Sequence, residues 1–259
     1  MADRVAAALL AFADELADAS GEIIRRYFRR PIAVDEKRDR TPVTIADRSA
    51  ERAMRRLIAR RFPDHGIVGE EFGRDDAEAD YVWVLDPIDG TKSFVAGVPL
   101  FGTLIALAHR GRPVLGVIDQ PISRERWIGA RGWPTLLNGK RVKSRACRSL
   151  GQATLYATSP DMFRGREATA FARLKARVKL ARFGADCYAY ALLASGMIDL
   201  VVEADLKPYD FMALAPVVEG AGGTITDWHG EELTLDSGGR VIAAGDAGLA
   251  KKARAVLAG

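Results

Sequence analysis

VLDPIDGTKSF, residues 84–94, follows the apolar run YVWVL and sets Asp86 and Asp89 around a proline, directly before Gly90-Thr91-Lys92. The apolar lead-in reads as a strand, so both carboxylates stand at its carboxyl end, the edge where layered α/β folds commonly hold ligands. Like charges this close repel, and burying them unpaired is very costly, so something positive belongs between them. Pro87 restricts the backbone, which lets the two side chains converge on one point with the Ile88 carbonyl between them. Such a hard, oxygen-rich nest suits Mg²⁺ or Ca²⁺, and the lack of a neighbouring histidine or cysteine argues against zinc. Gly90-Thr91-Lys92 reads as the start of a helical turn whose free N–H groups form a phosphate cradle. A metal nest and a phosphate cradle on one loop point to metal-assisted phosphoryl transfer.

More acids are in reach. VGEEFG supplies Glu70 and Glu71 on the preceding strand-like segment, and KPYDF places Asp210 at a helix start, where the helix dipole favours a negative charge. The 259 residues, 48% hydrophobic and 28% charged, describe an ordinary globular protein of one large domain or two lobes. Cys147 and Cys187 lie far apart without metal spacing, which argues against a disulfide framework or a zinc site. The N-terminal stretch MADRVAAALLAFADELADAS is broken by Asp3, Asp14, Glu15 and Asp18, so it reads as an amphipathic helix and not as a leader or membrane span. A cytoplasmic protein is expected. The net charge of +4 raises nucleic acid as a partner. The basic runs RRYFRRP, EKRDR and RRLIARR, however, sit largely on helical stretches with interleaved acids and carry no nucleic-acid-binding signature, so no nucleic-acid partner is expected.

The spacing of apolar residues predicts a long helix over Asp3–Phe28, stopped by Pro31, and a second from about Ile45 to Arg61, with Thr44 or Asp47 near its start. Strands follow at GIVGEE and YVWVLDP, then GTLIALAHR, PVLGVIDQP and RERWIGARG read as an antiparallel meander. Beyond residue 145 the rhythm alternates between strand and helix, which argues for a sheet covered by helices. The expected lobes are 1–145, carrying most metal ligands and the phosphate loop, and 146–259, carrying Asp210 and the substrate wall. PYDFMALAPVVEGAG reads as one helix, kinked at Pro216.

WVLDPIDGTKSF, preceded by GEE and followed by YDFMALAPVVEGAGG, resembles the inositol-monophosphatase-like family of Mg²⁺-dependent phosphatases over essentially the whole chain. The resemblance implies a layered αβαβα sandwich and hydrolysis of a small phosphomonoester by a homodimer holding two or three Mg²⁺ ions per site. The implied metal ligands are Glu70, Asp86, the Ile88 carbonyl, Asp89 and Asp210. The implied water-activating pair is Thr91 with Asp47, and Glu70 counts with them as catalytic. The downstream motif departs from the family pattern at Tyr209, where Trp is usual, and at Ala215-Pro216, in place of an Ala-Gly pair. That leaves the metal set intact and weakens the case for an inositol-type substrate.

Within the family, GVPLFGTLIAL and ADCYAYALLASGMIDLVVEA look most like the bacterial histidinol-phosphate phosphatase branch. The resemblance places Asp186 and Glu203 against the leaving group, and two acids answer the cationic histidinol as they would not a neutral polyol. Asp89, Gly90, Thr91, Lys92 and Asp210 complete the substrate side, and Arg182 stands by the phosphate or by an acid neighbour. The same residues have plainer readings: helix caps at Asp47, Asp186 and Asp210, a surface pair of Glu203 with Lys207, and helix packing for Tyr188 and Tyr190. Other phosphomonoesters, and a non-catalytic anion-binding protein, are the competing functions.

Overall fold

A computed structural model of the chain describes residues 5–31, 33–36 and 42–259. The expected helix start at Asp3 and most of the basic run EKRDR lie outside these residues. Helix α1 (Ala7–Tyr27) is followed by the antiparallel pair β1 (Val34–Glu36) and β2 (Pro42–Thr44), then α2 (Ile45–Arg61). Next come β3 (Gly66–Gly69), β4 (Gly73–Asp75), β5 (Tyr81–Asp89) and α3 (Thr91–Val95). The strands β6 (Gly102–His109), β7 (Arg112–Gln120), β8 (Glu125–Ala130), β9 (Trp133–Leu137) and β10 (Lys140–Arg141) complete an eight-stranded sheet, ordered β10-β9-β8-β7-β6-β5-β3-β4. Its β6–β7–β8 segment is the expected antiparallel meander.

The second half opens with β11 (Thr154–Ala157), α4 (Arg166–Lys175), β12 (Leu180–Phe183), α5 (Cys187–Ala194) and β13 (Leu200–Glu203). It continues with α6 (Pro208–Phe211), α7 (Leu214–Gly220), β14 (Thr224–Asp227), β15 (Val241–Ala244) and α8 (Ala247–Ala258). Its five-stranded sheet is ordered β12-β11-β13-β15-β14.

Side-chain alternation stacks these elements into five layers, because successive strand residues face opposite sides. Trp83, Leu85, Ile105 and Leu107 face Phe12, Leu16, Met54 and Ile58 of α1 and α2. Their neighbours Val82, Val84, Leu104 and Ala106 face α5, α7 and the inner face of the second sheet, including Val201 and Ala243. The outer face of that sheet, through Leu155, Leu200 and Ile242, is covered by α4 and α8. The order is therefore α, β, α, β, α.

Two local features differ from expectation. The single predicted helix after Lys207 is two, α6 and α7, interrupted at Met212 and Ala213. Pro216 lacks the N–H that would bond the Met212 carbonyl, and its ring crowds that carbonyl, so the break falls there. Restarting at Leu214 puts Pro216 in a first turn, where an N–H has no helical partner anyway. The basic face of α2 also differs: its only acids, Asp47 and Glu51, are both buried, so no acid interleaves the outward arginines. Glu51 instead accepts from the Glu71 N–H (2.8 Å), the Phe72 N–H (3.2 Å) and Arg55 (2.8 Å), which pins the turn just after Glu70.

Candidate metal and phosphate site

In a regular strand Asp86 and Asp89, three residues apart, would face opposite sides of the sheet. The ladder between β5 and β6 slips instead: Asp86 pairs with Leu104 and Asp89 with Gly102, so one extra residue bulges from β5. A bulge re-aims the side chains beyond it and accommodates a proline in a central strand. The Pro87 carbonyl is held by the Thr103 hydroxyl (2.8 Å), itself bonded to Ser20 (3.1 Å). The result is convergence: one oxygen each of Asp86, Asp89 and Asp210 lie within 4.8 Å of one another.

Asp210 comes from the first turn of α6, where its carboxylate accepts the Lys207 N–H at 2.6 Å. Glycines set that helix in place. A Cβ on Gly116 would stand 1.9 Å from the Ala213 carbonyl oxygen, and one on Gly129 would stand 2.3 Å from that of Pro216. The α6–α7 backbone therefore lies directly on β7 and β8. Glu70 follows β3, its N–H bonded to the Leu85 carbonyl (3.1 Å) in the parallel β3–β5 pairing.

Burial, then repulsion from Glu70, Asp89 and Asp210, pushes the Asp86 carboxyl well above the usual carboxylate range. Asp89 moves the same way through burial and the charges of Asp186 and Asp210. Asp210 is pushed up to about 7, chiefly by burial, against the opposing Lys207 N–H. Lys207 does not neutralise the group by direct contact, since its Nζ pairs with Asp205 at 3.1 Å. An oxygen-only cluster that burial and mutual repulsion hold back from ionising is what a hard divalent cation satisfies, so the residues fit Mg²⁺.

Gly90 caps α3 with φ +90°, in the left-handed region, and its Cβ position lies 2.9 Å from Asp186 Oδ2, so a side chain there would collide with that carboxylate. Thr91 donates its hydroxyl proton to the Ile88 carbonyl at 3.0 Å, which leaves the hydroxyl oxygen as an acceptor. Asp47 does not bond Thr91. Its Oδ2 accepts from the Thr44 N–H (2.9 Å) and hydroxyl (2.6 Å) in a capping box, while Oδ1, buried, has no hydrogen-bond partner among the described residues. Burial raises the pKa of Asp47, against the two Thr44 bonds.

A cavity of about 100 Å³ joins the two halves of the site, lined by Asp89, Asp186, Asp210, Glu203, Thr158 and Tyr190 among others. Larger clefts near Arg126 and Arg240, of about 550 and 530 Å³, hold none of these acids. Asp186 precedes α5 with φ +46° and makes no capping bond; its Oδ2 accepts the Ser93 hydroxyl at 3.3 Å. The α5 N-terminus is met instead by Asp89, whose Oδ2 accepts the Cys187 N–H at 2.6 Å. Asp186 is raised to about 6 by burial and then by Glu203, with Ser93 and the Lys92 charge opposing. Glu203 is not a surface partner of Lys207: it is 3% exposed on β13 and is held by Thr158 and Tyr190. Arg182 lies exposed on the edge strand β12 and does not line this cavity.

Sequence reasoning passed over Thr158 and Ser93, and read Tyr190 as helix packing alone. For Tyr190 a signal existed, because a tyrosine wholly buried in a helix needs a partner for its hydroxyl, as a phenylalanine would not. Thr158 and Ser93 carried none, since nothing local distinguishes them from other loop hydroxyls.

Residues 6–258 match the model of the inositol monophosphatase family. The chain is 54% identical over 252 residues to the bifunctional phosphatase IMPL2, chloroplastic, of Arabidopsis thaliana, covering 94% of this chain and 73% of the relative. It is 39% identical over 236 residues to a histidinol-phosphatase of Chlorobaculum parvum, covering 90% and 91%. Among solved structures it resembles an inositol monophosphatase from Zymomonas mobilis, with TM-score 0.89, 46% identity, and 96% and 97% of the two chains covered. Fold, acid cluster and relatives agree over nearly the whole length, and the chain belongs to the inositol monophosphatase family of phosphatases.

Proposed function

We propose that the protein hydrolyses L-histidinol phosphate to L-histidinol and phosphate with Mg²⁺. The observation that carries the substrate is the second pair of acids, Asp186 and Glu203, in the cavity beside the metal cluster, with no Lys or Arg bonded to either among the described residues. Histidinol carries an ammonium and an imidazole, and carboxylates with no cation bonded to them favour such a group over a neutral polyol. The histidinol-phosphatase of Chlorobaculum parvum supports the reading. The inositol monophosphatase of Zymomonas mobilis favours inositol phosphate as the competing ester.

In this reading Glu70, Asp86, the Ile88 carbonyl, Asp89 and Asp210 hold Mg²⁺, most of them from the lobe 1–145 and Asp210 from the lobe 146–259. Bound Mg²⁺ supplies Lewis acidity, lowering the pKa of water and offsetting charge on the leaving oxygen. Thr91, its own proton directed at Ile88, accepts a hydrogen bond from the attacking water and orients it in line with the phosphorus. Asp47 Oδ1, buried and without a hydrogen-bond partner among the described residues, is the acceptor for the proton the water gives up. The Gly90 and Thr91 N–H groups hold phosphate oxygens as charge builds, with Lys92 beside them. Water adds to phosphorus and gives up a proton, the ester P–O bond breaks, and that proton, returned through solvent, reaches the alkoxide, which leaves as the alcohol.

A phosphate-release assay over histidinol phosphate, inositol phosphate, glycerol phosphate and a 3′-phosphonucleotide, with and without Mg²⁺, tests this. The highest kcat/KM is expected for histidinol phosphate. A higher value for inositol phosphate assigns the site to the competing ester.

A further inference from the structure

Glu203 lines the same cavity as Asp89 and Asp210, and its hydrogen bonds are unusual for a buried acid. Oε1 accepts both the N–H of Thr158 (2.9 Å) and its hydroxyl. Oε2 accepts the Tyr190 hydroxyl at 2.9 Å. All three donors are neutral. A buried carboxylate is ordinarily matched by a guanidinium or ammonium, which cancels its charge as well as satisfying its lone pairs. The same molecule does this elsewhere: Asp199, equally buried, is clamped by Arg145 through two 2.7 Å bonds. At Glu203 the lone pairs are satisfied and the charge is left standing. Burial raises the Glu203 pKa, and the bonds from Thr158 and Tyr190, made to the ionised form, oppose that shift, so these two residues are what favours an anion in the wall.

Tyr190 and Thr158 come from separate elements, α5 and the loop after β11, and Glu203 from β13. Tyr190 is 1% exposed and its ring packs in the middle-layer core, so the hydroxyl is its only feature that a phenylalanine lacks. With its proton given to Glu203, the Tyr190 oxygen also presents a lone pair beside the cavity.

We propose that Tyr190 and Thr158 are specificity-determining positioning residues, which hold Glu203 charged and fixed so that the pocket selects phosphomonoesters with a cationic leaving group. The inference rests on the histidinol phosphate reading and deepens it, by naming the residues through which the acid wall tells a cation from a neutral alcohol.

The test measures kcat and KM for histidinol phosphate and glycerol phosphate in wild type, Tyr190→Phe, Thr158→Val and Glu203→Gln, and in the double variant Tyr190→Phe with Glu203→Gln. In wild type histidinol phosphate is the better substrate. In Tyr190→Phe the ratio of the two kcat/KM values is expected to fall about tenfold, mostly through KM for the cationic ester. In the Glu203→Gln background the same substitution should change the ratio little further, since Tyr190 acts through Glu203. Wild type without preference for the cationic ester overturns the histidinol phosphate reading and this inference with it. A selective wild type whose ratio survives Tyr190→Phe overturns the inference alone, as does an equal loss on both esters or a further drop in ratio in the double variant. Should Tyr190→Phe not fold, Thr158→Val reads the same ratio through the other carboxylate oxygen, and an unchanged ratio there overturns the proposal.

Discussion

Asp86 is almost fully buried; its carboxylate accepts the Ile88 N–H at 3.0 Å, while the charges of Glu70, Asp89 and Asp210 repel it. Without metal this acid works against the fold; in the proposed function it holds Mg²⁺. Substituting Asp86 or Asp89 by Asn should therefore separate the two roles. Activity should fall by about a hundredfold or more, because losing one charge removes a ligand and misplaces the ion. The metal-free variant should melt no lower than metal-free wild type, since a repulsion has gone. Near wild-type turnover in either variant would falsify the metal assignment.

Among the elements, the β5 bulge and the α6–α7 break together assemble the carboxylate cluster. The first turns Asp86 and Asp89 to one side, and the second delivers Asp210 from a helix seated on bare sheet backbone. Gly116 is where that seating is tightest. Gly116→Ala would press a methyl into the Ala213 carbonyl, which starts 1.9 Å from the ideal Cβ position. We expect a loss of about 1–3 kcal/mol in stability, as for other overpacked contacts. Asp210 should shift with its helix, so the Mg²⁺ concentration giving half-maximal activity should rise. A thermal melt and a Mg²⁺ titration read the two effects, and a variant unchanged in both would show that α6–α7 does not depend on this seat.

Across the whole molecule, metal binding and proton binding both feed into stability. Mg²⁺ bound only by the folded chain, at a hundred times its Kd, should add about 2.7 kcal/mol to unfolding stability. EDTA should abolish both that gain and the activity. Calcium, held in looser geometry, should raise the melting temperature without restoring turnover. Proton linkage is legible at His65, which stacks between Phe62 (4.7 Å) and Tyr81 (5.1 Å) and accepts the Trp83 indole N–H on Nδ1 at 3.1 Å. Burial holds its pKa below 6.5, with Asp64 opposing. The fold thus favours the neutral ring, so this contribution is complete above about pH 6.5 and is lost as pH falls toward the lower folded value. Between pH 7.5 and 5.5 wild type should lose under about 1 kcal/mol relative to His65→Phe, because the ring is only partly buried. Urea unfolding at both pH values measures it, and identical pH slopes in the two proteins would remove His65 from the linkage.

Among the described residues no helix is long and apolar enough to cross a membrane. Much else was readable locally. The apolar run before Asp86, the Thr44 cap at the start of α2, and the alternation from β6 to β8 are short-range signals, and the helices and strands stand where those signals put them. The acid motif, too, named its chemistry in a single stretch, because two aspartates around a proline have few physical uses. Spacing could not say which partner a side chain meets across the fold. Asp89 caps α5 through Cys187, Asp186 turns to Ser93, and Glu203 is satisfied by Thr158 and Tyr190, all over separations that only packing closes. Asp47 illustrates the same limit: its local bond to Thr44 follows from helix capping, whereas the open Oδ1 depends on what the surrounding layers leave vacant. The sequence by itself determined the elements and the type of chemistry, because both follow from neighbours in the chain. The tertiary structure decided which acids share a cavity and which are neutralised, because burial and charge pairing depend on neighbours in space.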